Sequence, residues 1–315
     1  MSARTSASAG ISLAALAAGA IAGRSLVRRY RSELRAAEAR LAAVDRSLIS
    51  TTFADVEYAE LGAGEPLLYS HGIFGSCENA LLFRDQFPGR RLIAPSRFGY
   101  LGSGLPPHAT PADQADAFAE MLDALKIAQI DVVGVSAGTT SALQLALRHP
   151  ERVKHLVVLS GNLPGTPTAV VQPSWARLVN RQVPVWLIKT FLPSTMASLS
   201  GVPRRFAMTS DDAQLVAAFI DSMFPMTPRI EGIDFDAFVS NADVNNYKLE
   251  DIRVPTMVVH AKDDPLISYD SAERAAGRIP RARLVSLEAG GHLLLGQTDA
   301  IRKELASFLV PTAAG

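Results

Sequence analysis

A serine flanked by glycines is the first feature of the chain whose residue types and spacing suit chemistry. The G-x-S-x-G pattern of residues 134–138 places Ser136 between Gly134 and Gly138, directly after an apolar run. A tight turn from a strand into a helix holds such a serine in a strained backbone conformation, which small flanking residues allow. The turn also directs the amide of Ala137 and a helix N-terminus at any oxyanion that forms. The pattern therefore predicts a nucleophile at Ser136.

A second glycine-containing loop could complete an oxyanion hole. His71 and Gly72 follow a short apolar run, and the next amide, that of Ile73, can face the amide of Ala137. The amide of Phe74 is the next candidate. Only the backbone N–H matters for this role. We expect His71 to brace the loop through hydrogen bonds rather than to transfer protons.

An acid and a base follow two later strands. Asp263 and Asp264 come after the apolar run Pro255–Ala261. His292 follows two consecutive glycines, after another apolar run. A carboxylate can orient an imidazole and stabilise it once protonated, and the glycines let the loop bend towards the serine. We predict that Asp264 is the acid of this pair and that Asp263 is a turn or helix-capping residue.

The elements that must position these residues alternate along the chain. Strands are predicted over Phe53–Leu61, as an edge strand, and over Pro66–Ser70, Arg91–Pro95, Ile130–Val135, Val153–Ser160, Pro255–Ala261 and Ala282–Glu288. Helices are predicted from Pro111 (capped by Thr110), from the serine turn to Leu147, and over Asp270–Ile279 and Thr298–Leu309. Nearly continuous apolar strands that alternate with helices indicate an α/β fold with a mostly parallel sheet flanked by helices. The ligand site of such a sheet lies beyond the carboxyl ends of its strands.

The order of these motifs along the chain resembles a known superfamily. Ser136, Asp264 and His292 follow one another in the chain order of the α/β-hydrolase triad. With the segments HGIFG, GVSAG, AKDDP and GGH, the region from about 51 to 309 resembles the α/β-hydrolase superfamily in its esterase- and lipase-like branch. The resemblance implies the α/β-hydrolase fold and a Ser-Asp-His triad. Ser136 distinguishes the chain from the dehalogenase and epoxide hydrolase branches, which place Asp there, and Asn162 leaves no acid at the alternative triad position.

The resemblance also implies a cap inserted into the sheet domain. We predict a core of residues 51–161 and 251–315, and a helical cap of residues 162–250, where the strand pattern pauses. The cap contains both tryptophans and four of the seven methionines. An apolar, flexible lid of this kind suits an apolar acyl or alcohol group. The predicted pocket residues are Phe74, Trp175, Trp186, Met223 and Leu293.

Residues 1–50 form a separate predicted segment, an Ala- and Arg-rich helix. It contains eight arginines and three acidic residues, a net charge of +5, and the remainder of the chain sums to −5. Residues 9–23 are uncharged and most of the arginines follow them, which favours an uncleaved single anchor with the bulk of the chain on the cytoplasmic side. We predict membrane attachment through residues 9–27. The alternative is a cytoplasmic protein whose N-terminal helix packs on the domain or on a partner.

Composition narrows the classes of protein further. The chain has 315 residues, 31 basic and 31 acidic side chains and one cysteine, Cys77. A neutral total argues against nucleic-acid binding, and a single cysteine excludes an internal disulfide and a multi-cysteine zinc site. No sequence feature predicts a cofactor or a metal ion. The expected partner is a small-molecule apolar ester, as substrate.

Together these residues predict a serine hydrolase that cleaves a carboxylic ester of a small to medium apolar substrate through an acyl-enzyme. The same triad serves lactone, thioester and amide hydrolysis as well as perhydrolysis, and these alternatives stay open. A ligand-binding protein of low turnover is the remaining alternative. The complete set of serine, acid and histidine argues against it.

Overall fold

The computed structural model describes residues 3–309 of the chain, with side chains from residue 19 onward. The chain divides between Ala43 and Val44 into two compact units. The first unit is helical, and the second contains the sheet and all of the site residues predicted above.

A single long helix, α1 (Ala3–Ala42), makes up the described part of the first unit, as predicted. Alanine and arginine favour helices, and Arg29 pairs with Glu33 one turn later at 2.8 Å. In the part of the chain that the structure describes, no helix combines the length and apolar composition needed to cross a bilayer. The side chains of residues 3–18 lie outside the described part. Membrane attachment through residues 9–27 stays a prediction.

Eight strands form the sheet of the second unit, in the spatial order β1-β2-β4-β3-β5-β6-β7-β8. They are β1 (Ser47–Ser50), β2 (Asp55–Leu61), β3 (Glu65–Ser70), β4 (Arg90–Pro95), β5 (Ile130–Val135), β6 (Val153–Leu159), β7 (Thr256–Ala261) and β8 (Arg283–Leu287). The pairs that involve β1 and β2 are antiparallel, and all others are parallel. The central strands β5 and β7 are buried along nearly their whole length, as continuous apolar runs predict.

The edge of the sheet differs from the prediction. Strand β1 pairs antiparallel with β2, in register from Ser47 opposite Tyr58 to Ser50 opposite Asp55. Strand β4 flanks β2 on its other side. The strand predicted over residues 53–61 is present as β2, but the prediction that it lies at the edge of the sheet is wrong. The true edge strand escaped detection because it has only four residues, with a serine at each end.

Twelve α-helices lie within the described residues. They are α1, α2 (Asn79–Phe83), α3 (Pro111–Ala124), α4 (Thr139–Arg148), α5 (Ala176–Val179), α6 (Gln182–Phe191), α7 (Pro193–Leu199), α8 (Ser210–Ser222), α9 (Ile230–Phe235), α10 (Asn241–Asp243), α11 (Tyr269–Arg278) and α12 (Thr298–Phe308). The start of helix α3 could be predicted from the sequence because its capping residues are close together in the chain. Thr110 accepts a hydrogen bond from the Asp113 amide at 3.2 Å, and the Asp113 carboxylate accepts one from the Thr110 amide at 2.9 Å. This capping box, with Pro111 in the first turn, fixes the helix start.

Helices α5 to α10 occupy the segment between β6 and β7, which we call the cap segment (residues 162–250). Its described residues contain no strand. Proline fixes several boundaries here; Pro193, for example, opens α7. A short π-helix (Asp236–Ser240) links α9 to α10. The cap segment interrupts the alternation of strands and helices between β6 and β7, where the sequence pattern pauses.

Candidate active site

The turn between β5 and α4 holds Ser136 in the conformation that its flanking glycines suggested. Ser136 has a φ of +50°, a left-handed backbone that side chains rarely adopt. A Cβ at Gly138 would lie 2.2 Å from the Ser70 carbonyl oxygen. A Cβ at Gly134 would lie 2.7 Å from the Cβ of Ala142. Both flanking positions therefore require glycine, because β3 and α4 approach the turn too closely for a side chain.

Ser136, His292 and Asp264 form one chain of hydrogen bonds. The Ser136 Oγ lies 2.9 Å from His292 Nε2, and His292 Nδ1 lies 2.8 Å from Asp264 Oδ2. An ionised carboxylate only accepts hydrogen bonds, so Nδ1 carries the imidazole proton and Nε2 is free to accept from the serine hydroxyl. The imidazole is therefore held in the tautomer that a general base needs.

Asp264 is fixed and ionised. Its Oδ1 accepts hydrogen bonds from the amides of Leu266 at 2.8 Å and Ile267 at 3.1 Å. Burial by itself raises the pKa of Asp264, but attraction to His292 and hydrogen bonds from His260 and His292 outweigh it. The pKa of Asp264 consequently lies well below its ordinary value. Asp264 stays negative at neutral pH and stabilises an imidazolium beside it.

Asp263 points to the backbone of the histidine loop instead. Its Oδ1 accepts from the Gly291 amide at 2.8 Å, and its Oδ2 accepts from the Gly290 amide at 3.3 Å. The structure thus places Asp264 against His292 and gives Asp263 the turn-bracing position that the sequence suggested. The cap segment supports the same loop, since the His292 amide donates to the Gly201 carbonyl oxygen at 2.9 Å.

A second imidazole lies behind the carboxylate of Asp264. His260, near the end of β7, is fully buried, and its Nε2 lies 3.3 Å from Asp264 Oδ2 and 3.0 Å from the Ile267 carbonyl oxygen. Both atoms are acceptors, so Nε2 carries the proton. The Nδ1 atom has no hydrogen-bond partner among the described residues. No role was predicted for His260, which lies inside an apolar run and is marked by no local motif.

The loop after β3 lies directly beside the serine. A Cβ at Gly72 would lie 3.1 Å from the Cβ of Ser136, so a side chain at this position would crowd the nucleophile. His71 Nδ1 donates to the Gly72 carbonyl oxygen at 2.8 Å, and His71 Nε2 accepts from the Arg97 amide at 3.0 Å. Burial holds the pKa of His71 well below its ordinary value. His71 is therefore a neutral brace, as predicted.

A family model for the alpha/beta hydrolase fold matches residues 65–298 of the chain. The protein belongs to this family. It is 31% identical to a 2-hydroxymuconate semialdehyde hydrolase from Pseudomonas putida, over 73% of this chain and 82% of that protein. It is 29% identical to a poly(3-hydroxyalkanoate) depolymerase from Ectopseudomonas oleovorans, over 78% of this chain and 84% of that protein.

A solved structure agrees with this assignment. An alpha/beta hydrolase fold protein from Nakamurella multipartita superposes with a TM-score of 0.69 at 25% sequence identity, over 84% of this chain and 99% of that one. The family and the named relatives establish that the protein is a hydrolase. They do not fix which bond it cleaves.

A buried ion pair connects the loop after β3 of this alpha/beta hydrolase to the cap segment. The guanidinium of Arg97 donates to both carboxylate oxygens of Asp236, with 2.7 Å between Nη1 and Oδ1. Arg97 Nε also donates to the His71 carbonyl oxygen at 2.8 Å, and the Tyr100 hydroxyl donates to Asp236 at 2.5 Å. Asp236 was not predicted from the sequence, because it lies 139 residues from Arg97 and no local pattern marks it.

Removal of Asp236 should destabilise the protein strongly. The Arg97 and Asp236 side chains are at most 1% exposed. Asp236→Ala would leave a buried guanidinium without its counter-charge, so we expect a loss of about 3–5 kcal/mol in the free energy of unfolding, measured by urea denaturation. The matched control is Asp116→Ala, which removes the partly exposed bidentate pair with Arg148 and should cost about 1 kcal/mol or less. Equal losses in the two variants would contradict this expectation.

An elongated cavity with a volume of about 130 Å³ leads to the serine. Ser136, His292 and the amide-bearing residues Ile73 and Ala137 lie in its wall. The remaining wall is mainly apolar and includes Phe74, Phe83, Leu199, Phe219, Met223, Leu266 and Leu293. A few polar side chains interrupt it: Asn79, Gln86, Ser160, Asn162, Thr168, Ser200 and Asn241. Such a wall suits an apolar group that carries one polar, reacting centre.

Three of the five predicted pocket residues line this cavity: Phe74, Met223 and Leu293. The prediction is wrong for both tryptophans. Trp186 is buried on the inner side of α6, with its ring 6.5 Å from that of Phe191. Trp175 precedes α5 and is 62% exposed. The positions of both tryptophans in the sequence assign them to the cap segment. Packing, however, decides which side of each helix faces the cavity.

Proposed function

We propose that this alpha/beta hydrolase is a serine esterase that cleaves carboxylic esters with a small to medium apolar group through an acyl-enzyme. The observation that carries the proposal is the continuous hydrogen-bond chain from Ser136 through His292 to Asp264, in the wall of a mainly apolar cavity. A nucleophile, a base in the correct tautomer and an orienting carboxylate are the parts that acyl transfer to a hydroxyl requires.

In the first half-reaction, Ser136 Oγ attacks the ester carbonyl carbon while His292 Nε2 accepts the hydroxyl proton. Asp264 stabilises the imidazolium that forms and is not itself protonated. The imidazolium then donates its proton to the alcohol as it leaves. In the second half-reaction, His292 accepts a proton from water as the water oxygen attacks the acyl carbon. The imidazolium then returns this proton to Ser136 Oγ as the bond between Oγ and the acyl carbon breaks, so the acid is released and Ser136 is restored.

The negative oxygen of each tetrahedral intermediate requires two donors. We assign these to the backbone amides of Ala137 and Ile73, which both belong to residues of the cavity wall. The amide of Phe74, whose residue also lies in the cavity wall, is the alternative second donor. The braced loop supports the assignment, because preorganised donors cost no rearrangement at the moment of reaction.

The cavity predicts a preference for short and medium acyl chains. On a series of p-nitrophenyl esters from acetate to palmitate, we expect kcat/KM to peak at an intermediate length. It should fall by about tenfold or more for palmitate, because the mainly apolar wall favours chains that it can contact along their whole length. Met223→Ala enlarges the cavity and should move the peak to longer esters. Met208→Ala, at an exposed methionine outside the wall, is the matched control and should leave the profile unchanged.

The same assay can overturn the proposal. Matched thioesters, lactones and anilides of the preferred chain length should be cleaved more slowly than the ester. A preparation that cleaves one of these classes but none of the esters would contradict the esterase assignment. It would leave the hydrolase assignment in place.

A further inference from the structure

The helices of the cap segment expose an unusual amount of apolar surface. Six side chains on and beside α5 and α6 are between 39% and 75% exposed. We call them the outer cap face: Trp175, Leu178, Val183, Leu187, Phe191 and Leu192. Single exposed apolar residues are ordinary on a soluble protein, but several large ones on two consecutive helices mark a surface suited to binding.

Helix α6 shows that this face is not a consequence of loose packing. Val185 and Trp186 are buried on its inner side. Val183, Leu187 and Phe191 follow one another at intervals of four residues, which places them on one stripe of the opposite side. A helix that is apolar on both sides is normally covered on both sides. The outer stripe of α6 is therefore suited to contact with an apolar environment other than the core of the protein.

The charge around the outer cap face identifies the kind of environment. From residue 152 to residue 210 the chain has no Asp or Glu, and the cap segment carries five basic residues in this stretch: Arg177, Arg181, Lys189, Arg204 and Arg205. Two carboxylates from later in the cap segment lie against three of them: Asp234 is 2.9 Å from Arg181 and 3.8 Å from Arg177, and Asp221 is 2.7 Å from Lys189. The cap segment as a whole has seven basic and eight acidic residues, so the positive surplus is local to the stretch that contains α5, α6 and α7. Apolar side chains among basic ones match the headgroups and acyl boundary of an anionic bilayer.

The same charges argue against a second copy of the chain as occupant. A two-fold dimer through this face would bring the basic residues of both copies together. Trp175 supports a bilayer instead, because the amphipathic indole ring prefers the interface between headgroups and acyl chains. Leu199, at the end of α7, is 59% exposed and also belongs to the wall of the catalytic cavity. The exposed apolar surface of the cap segment thus reaches the cavity.

We propose that the outer cap face docks on anionic phospholipid bilayers, with Trp175, Leu178 and Phe191 inserted at the acyl boundary. The cavity wall at Leu199 then lies close to the lipid surface. The docking does not depend on which bond the hydrolase cleaves. It is also separate from any attachment through residues 9–27.

Tryptophan fluorescence tests the docking directly, because both tryptophans of the chain lie in the cap segment. The full-length protein is mixed with vesicles of phosphatidylcholine, with or without phosphatidylglycerol, that carry bromine on their acyl chains as a quencher. We expect the anionic vesicles to remove about a third to a half of the total emission, since only Trp175 meets the quencher, and the neutral ones to remove little. In Trp175→Phe the signal comes from Trp186, which is 4% exposed, and quenching should be lost.

Matched variants distinguish binding through the outer cap face from nonspecific adsorption to the vesicles. Leu178→Ser and Phe191→Ser should reduce the quenching of Trp175, whereas Leu48→Ser, at a similarly exposed leucine on β1, should not. Binding through residues 9–27 alone would sediment the protein with vesicles but leave Trp175 unquenched, and this result would overturn the proposal. Equal quenching by neutral vesicles would overturn it too. So would a dimer in vesicle-free solution that Leu178→Ser and Phe191→Ser convert to monomer.

Discussion

Ser136→Ala should lower kcat for ester hydrolysis by about 10⁴-fold or more, because it removes the atom that forms the acyl-enzyme. His292→Ala should have a comparable effect, since the serine then lacks its base. The double variant should be little worse than either single variant, because residues that act as a unit lose their contribution together. Steady-state rates on the preferred p-nitrophenyl ester measure all three.

The control for this experiment is Ser210→Ala, at an exposed serine in the first turn of α8. It should retain the rate of the unmodified protein. Mass spectrometry adds a second measurement, since a slowly hydrolysed ester should leave its acyl mass on the intact protein and not on the Ser136→Ala variant. Near-normal turnover in Ser136→Ala would refute the proposed mechanism.

The second large effect distinguishes the two adjacent aspartates. Asp264→Asn should lower kcat by about 10⁴-fold, because an amide at this position can hold the imidazole with its proton on the wrong nitrogen. Asp263→Asn should cost far less. The asparagine oxygen can still accept from the Gly291 amide, which is the contact that positions the histidine loop.

Both variants are close to the original in size, so their folding can be compared by thermal unfolding at neutral pH. The informative quantity is the ratio of the two kcat values on the same ester. A larger loss in Asp263→Asn than in Asp264→Asn would contradict the hydrogen-bond chain from Ser136 to Asp264. If both variants fail to fold, Asp264→Glu is measured instead. It keeps the negative charge and should retain more activity than Asp264→Asn.

Local patterns located most elements of the sheet because their causes are local. The prediction of β5 over Ile130–Val135 matches the structure residue for residue, since the run is apolar and ends at the glycine turn. The start of α3 follows from the Thr110 cap and Pro111. Strand β1 carries no such signal. Its four residues join the sheet only because β2 offers them an unpaired edge.

The cap segment marks the limit of this kind of inference. Its prolines predict short helices, and its composition predicts an apolar lid, but neither says which side of a helix faces the cavity. Phe74, Met223 and Leu293 lie in the wall, whereas Trp175 and Trp186 do not. The Arg97–Asp236 pair was beyond prediction for a related reason. Arg97 and Asp236, which are 139 positions apart in the chain, meet only when the cap segment packs on the sheet domain.

The sequence by itself determined the alpha/beta hydrolase architecture. It also singled out Ser136, His292 and two adjacent candidate acids, Asp263 and Asp264, because these depend on residue types, glycine positions and chain order. The tertiary structure alone decided how they act. It placed Asp264 rather than Asp263 on His292, and it put His260 behind the acid. It also turned the tryptophans away from the cavity, with Trp175 towards solvent. Such choices depend on contacts between distant segments, which form only when the whole core packs.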